Sequence, residues 1–108
     1  MSSLSYQMIR DAMEARQQVH ATYGGFHREL SVHEIGLGPN GNDQIMAYQF
    51  GGESSKGPVI DQPEESRWRC FDVGQLSDLV IVDGPWHTAV NRGRGNTCIV
   101  STDYEIHP

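Results

Sequence analysis

Long apolar runs are missing from this 108-residue chain. No window reaches the roughly 18 apolar residues of a membrane-spanning helix, so no such helix is expected. The opening residues, MSSLSYQMIRDAMEARQQ, lack the basic start and apolar stretch of a secretion signal, which makes the cytoplasm the expected location. Cysteine is scarce, with two residues in the whole chain. Cys70 and Cys98 each sit in an apolar, strand-like run. Free buried cysteines behave as small hydrophobes and cytosolic thiols stay reduced, so both are expected unpaired. Neither has the basic or histidine-rich flank of an activated thiolate. Positive charge is also short. Eight basic side chains face fourteen acidic ones, a net charge of −6. That balance excludes a broad, sequence-blind grip on duplex nucleic acid, which needs many phosphate contacts. No serine, cysteine or carboxylate pair stands in a nucleophile or acid–base motif. An enzyme is therefore not expected, and no catalytic residue, cofactor or metal ligand is assigned.

What remains has the makings of one small domain over residues 1–108. Hydrophobic residues make up 37% and charged residues 20%, which fits a folded chain with a modest core. Seven of the eight cations are arginine. Arginine is the residue suited to planar, bidentate recognition of phosphate or carboxylate, although genomic base composition produces the same enrichment.

Residues 4–18 read as a helix. Leu4, Met8, Ala12, Ala15 and Val19 recur at helical spacing, Ile9 and Met13 widen the stripe, and Ser3 or Ser5 can cap its start. Short strands follow at 19–23 and 26–37, broken by Gly24-Gly25. Pro39-Asn40-Gly41-Asn42 is a hairpin signal, because Asn-Gly takes positive φ readily. In the return strand, 44–50, Met46, Tyr48 and Phe50 share one face, and Ile45, Ala47 and Gln49 share the other. Residues 51–66 are rich in glycine, proline, serine and acid groups and read as a long surface loop. Strands resume at 67–73 and 78–82, the latter apolar without alternation and so expected to be buried on both faces. Residues 83–96 are irregular. A terminal strand over 97–106 places Cys98, Val100, Tyr104 and Ile106 on one side. About five or six short strands, one N-terminal helix and glycine turns predict a mainly β (α+β) fold, a small β-barrel with the helix across its mouth or an open edge.

The order VHATYGGFHRELSVHEIG, NGNDQIMAYQFGG, WRCFDVGQLSDLVIV resembles the WYL domain of bacterial regulators, and above all its short stand-alone members. Tyr23 matches the tyrosine that ends the family's first strand, Arg28 the basic residue opening the second, and Arg69 and Phe71 an Arg-x-Phe step. His33 falls where the family has a histidine after proline, with Val32 in place of that proline. The Trp-Tyr-Leu triplet aligns with Asp43-Gln44-Ile45, and a second family arginine aligns with Gln75. The resemblance implies an SH3- or Sm-like barrel and a pocket lined by arginines, suited to a nucleotide or single-stranded nucleic acid.

Physically, guanidinium forks hold phosphate through paired hydrogen bonds, and aromatic faces stack bases for about 1–3 kcal/mol each. Arg28, His33, Tyr48 and Arg69 are accordingly the candidate ligand-binding residues. The competing reading pairs the two arginines with Glu29, Glu34 or Asp72 and buries Tyr48 in the core. His27 and His33, six residues apart on one strand, would stand about 20 Å from each other, too far for one metal ion. Trp86 is expected to anchor its loop in the core, with His87 beside it. Gly51-Gly52 with Gly57 lacks the order of a phosphate loop. Arg92-Gly93-Arg94-Gly95 has the look of a flexible basic segment that touches single strands, but two arginines also suit a solvated loop.

The expectation is thus a cytoplasmic, non-enzymatic, regulatory or sensory module that binds a small anionic ligand. Without a DNA-reading segment, regulation would require a partner or self-association. The alternative is a protein–protein interaction or oligomerisation domain that pairs through barrel edge strands.

Overall fold

In the computed structural model, which describes residues 3–88 and 98–106, Ser3 caps helix α1 (Leu4–Ala15) by accepting a hydrogen bond from the Tyr6 N–H at 3.1 Å. The helix stops at Arg16, which turns left-handed at φ 56°. Tyr6, Ile9, Ala12 and Met13 are the residues it buries. Leu4 and Ala15 instead face solvent, so the buried stripe is rotated from the one the apolar spacing predicts. Tyr6 supplies the difference, since its ring packs inward while its hydroxyl finds Asp103.

Strands β1 (Gln18–Tyr23) and β2 (Phe26–Leu37) form a hairpin closed by Gly24 and Gly25, with Tyr23 opposite Phe26. Both glycines have positive φ, +61° and +83°, as a two-residue primed turn requires. β2 then pairs along its other edge with β3 (Asp43–Ser54). These two long strands are the spine of the sheet. β1 and β7 (Ser101–Glu105) share one edge of β2, while β5 (Trp68–Asp72) and the short β4 (Gly57–Pro58) share the far edge of β3. β6 (Ser77–Val82) pairs with β1 and ends the sheet. Among the described residues no pairing joins β6 to β5. The result is a curled, antiparallel half-barrel with one helix.

The core lies in the hollow of this curl. Ile9 and Met13 of α1 meet Val19, Leu30, Val32, Ile35, Ile45, Ala47 and Phe71. Each such large side chain contributes about 1.5–3 kcal/mol through burial.

Four expectations are corrected. Residues 51–66 do not form one surface loop. β3 runs on through Gly51 and Gly52 to Ser54, and short 3-10 turns follow at Val59–Asp61 and Glu64–Ser66, with Val59 fully buried. β6 is not buried on both faces: Leu79 and Ile81 pack against the core while Val80, between them, is 53% exposed. The terminal strand starts only at Ser101, and Val100 is exposed. Finally, Cys70 and Cys98 are not free. They form a disulfide, with Cα atoms 6.3 Å apart. Strand alternation turns Cys70 away from the core side that Phe71 occupies, and the chain before β7 passes that outer side.

Candidate functional site

Arg28 and Arg69 project from the same side of the sheet. Arg69 stands opposite Ala47 on β3, and Gln49, two residues along β3, therefore shares its face. Arg28 reaches Gln49 from β2, donating from Nη1 to Oε1 at 3.2 Å. Its Nε and Nη2 both donate to the carbonyl of Tyr23, at 3.3 and 3.1 Å, so the hairpin end holds the guanidinium. The rings of Tyr23, Phe26 and Phe71 lie 5.6–5.7 Å from it. Contacts of that kind favour a cation that has lost its water. Arg28 is 7% exposed, and every partner it has here is neutral.

Arg69 is held from the other flank. Its Nη2 donates to Gln62 Oε1 at 2.5 Å, and its Nε is buried with no acceptor. Gln62 is fixed in turn by Ser54 and Gly57, at 3.1 and 3.3 Å. Burial lowers the pKa of both guanidiniums from the ordinary arginine value, and the charge of Arg69 lowers that of Arg28 further. The two cations therefore feel each other.

The carboxylates that the competing reading pairs with them are engaged elsewhere. Glu29 faces His27, Asp72 accepts from Asn42 Nδ2 and the Gly74 N–H, and Glu34 accepts from Thr102. Among the described residues neither Arg28 nor Arg69 makes an ion pair. Two desolvated positive charges on one wall, one with an unused donor, can accept an anion.

His33 and Tyr48 are not part of this wall. Tyr48 pairs with Trp68 on the opposite face of the sheet. His33 packs there between Trp68 and Trp86, at ring distances of 4.6 and 4.1 Å, and its Nε2 meets Thr88 Oγ1 at 3.0 Å. Strand alternation alone turns His33 outward, since Leu30 and Val32 face the core, and the bulge beside it resets β2 so that Ile35 faces inward again. Trp86 lies over this outer face and on the edge of the core, as expected of a loop anchor, and His87 stacks on Phe50 at 4.0 Å. The four residues singled out from the sequence thus divide into an arginine pair inside and an aromatic–histidine patch outside. Gln49 and Gln62 were missed, since neither carries a motif. The Arg92-Gly93-Arg94-Gly95 segment lies outside the described residues.

The outer face holds a second grouping that the sequence reading passed over. His20 stands opposite Glu29, and Thr22 opposite His27, so His20, His27 and Glu29 come together. Their ligand-type atoms all lie within 4.8 Å of one another. Counting register back from the Gly24-Gly25 turn would have found them. A recess of about 390 Å³ also opens between α1 and β7, lined by Tyr6, Asp43, Thr102 and Asp103. Its acidic wall is unsuited to an anion.

Compared with known proteins, the chain matches no family model, no curated protein and no solved structure.

Proposed function

We propose that this chain is a non-enzymatic, WYL-like module that binds a small anionic ligand, a nucleotide or a short single strand of nucleic acid, on the Arg28–Arg69 wall. The observation that carries the reading is the pair of partly desolvated guanidiniums without a carboxylate partner among the described residues. Arg69, only half-buried, meets the phosphate first, through the guanidinium N–H groups that Gln62 does not occupy. Arg28 lies beneath and adds charge. Tyr23 and Phe26, both part-exposed, are the rings on which a base would stack. His33 and Tyr48 are left out of this site because they line the other face. The half-barrel is read as a variant of the SH3- or Sm-type barrel.

A regulatory or sensory role for such a module works through a partner or a second copy. The cytoplasm, expected from the sequence, would keep Cys70 and Cys98 as thiols. The disulfide weighs against that location and in favour of an oxidising one.

Titration of short single-stranded oligonucleotides and of nucleoside triphosphates, read by fluorescence anisotropy or calorimetry, tests the reading. Loss of a charge-assisted hydrogen bond worth about 1.5–3 kcal/mol should weaken binding roughly 10- to 100-fold in Arg69→Ala. Equal binding by the wild type and Arg69→Ala, or none by either, would end it.

A second reading has one observation in its favour. β6 ends the sheet with Val80 half exposed, an edge that could pair with a second copy. A dimer in sedimentation that dissociates in Val80→Lys and ignores nucleotide would favour it.

A further inference from the structure

We propose that His20, His27 and Glu29 form a site for a divalent transition-metal ion of the zinc class, on the outer face of the β1–β2 hairpin. Three features carry this beyond a chance meeting of polar side chains.

The first is the ligand set. Two imidazoles and a carboxylate are the donors that zinc and its neighbours take when three protein ligands leave a position open for water or a further ligand. The register of a tight hairpin holds all three, with His20 directly across from Glu29 and His27 one diagonal step away. His27 Nε2 already meets Glu29 Oε2 at 3.1 Å, and the His20 ring stands edge-on to the His27 ring at 5.8 Å. Around a tetrahedral ion with bonds of about 2.0–2.2 Å, donor atoms sit roughly 3.4 Å apart. The ligand atoms, all within 4.8 Å of one another, therefore close on the ion by a small side-chain rotation. His27, 54% exposed at its side chain, is free to make it.

The second feature is an outer hydrogen bond that sets a ring nitrogen. Gln18, which is buried, donates its Nε2 to the carbonyl of Pro85 at 2.7 Å. Its Oε1 faces His20 Nε2 at 2.9 Å and can only accept. His20 therefore carries its proton on Nε2, which leaves the lone pair of Nδ1 for a metal. An outer-sphere oxygen fixing the tautomer in this way is the usual support of a metal-bound histidine.

The third is a space kept for the carboxylate. Glu29 lies across Gly51 of β3, where a Cβ would come within 2.2 Å of Oε1. Any side chain at position 51 would displace the carboxylate. Phe50, the neighbouring residue, borders His20 at 6.2 Å and gives the site one apolar wall.

On binding, the ion stands in place of the His27–Glu29 hydrogen bond, with His27 bound as the neutral imidazole through Nε2 and its proton on Nδ1. The site lies on the face opposite the arginine wall, so the two can be tested apart.

The test is titration of the full chain with Zn²⁺ by calorimetry, and with Co²⁺ by visible absorption. Wild type should bind one Zn²⁺ per chain, turn Co²⁺ to the intense spectrum of a four- or five-coordinate ion, and gain thermal stability with added metal. His27→Ala, at an exposed position that leaves the core untouched, should lose about 100-fold or more in affinity. Gly51→Ala and Gln18→Ala should lose about 10- to 100-fold. Arg69→Ala should bind Zn²⁺ like the wild type. Zinc binding unchanged in His27→Ala and His20→Ala, or a Co²⁺ spectrum that stays that of the hydrated ion, would overturn the proposal.

Discussion

Arg28 and Arg69 stand on one wall of the half-barrel with Gln49 of the intervening strand beside them, and neither has an acidic partner among the described residues. Two cations so placed repel each other and have given up water, which is a cost to the empty protein. A bound anion removes that cost. Phosphate or a nucleoside triphosphate, added at constant ionic strength, should therefore raise the melting temperature in a concentration-dependent way. Arg69→Met should lose this response while melting at or above the wild-type temperature without anion, because it removes a desolvated charge. Differential scanning fluorimetry would settle it, and a full anion response in Arg69→Met would contradict the arrangement.

Gln49 is a structural hub for the same wall. Its amide donates to the carbonyls of Gly51 and Glu53, at 3.0 and 3.1 Å, while its oxygen accepts from Arg28. Gln49→Leu should cost about 1–3 kcal/mol for each buried group it leaves unsatisfied. Urea denaturation should show a loss of that size, and anion affinity should fall with it.

The disulfide makes a further prediction. A cross-link spanning a sequence separation of 28 limits the freedom of the unfolded chain and is worth about 2–4 kcal/mol. Non-reduced protein should show no reactive thiol under denaturing conditions, and two after reduction. Reduction, or Cys98→Ser, should lower the urea midpoint accordingly. Two thiols in protein that was never reduced would restore the sequence-based expectation.

Tyr6 gives a pH signature. Burial, followed by its hydrogen bond to Asp103, raises its pKa well above the ordinary phenol value of 10.0. The folded state thus favours the protonated form. That contribution is complete below about pH 10 and is lost progressively above it, as the unfolded chain ionises first. The wild type should lose stability between pH 9.5 and 11 more steeply than Tyr6→Phe, on the order of the difference one such group can make. Parallel curves for the two would show that Tyr6 does not titrate as described.

Local signals carried much of the fold. The Gly24-Gly25 and Asn40-Gly41 turns fixed the ends of β2, which spans Phe26–Leu37 as the turn spacing predicts. Position along the strands also separated Met46 and Tyr48 from Ile45, Ala47 and Gln49 correctly, because alternation is a property of the backbone itself. What escaped was whatever depends on a distant neighbour. Gly51-Gly52 looks like a strand breaker, yet β3 continues through it because those positions lie against Glu29 and the His27 carbonyl, where a Cβ has no room. The Cys70–Cys98 bond depends on β7 pairing with β2, which no local pattern announces. His33 was grouped with the arginines by the resemblance, although its place five residues after Arg28 on one strand already set it on the opposite face. The arginine pair itself was legible as two residues, but its lack of acidic partners could be read only once Glu29, Glu34 and Asp72 had found theirs.

The sulfur bridge also creates a mechanical shortcut. If the protein were stretched from its two ends, tension would leave the backbone at residue 70 and re-enter it at residue 98, so β6 would stay slack while the spine of the sheet carried the load. Complete extension of the oxidised chain should fall short of that of the reduced chain by roughly 90–100 Å, the span of the 28 bypassed residue steps.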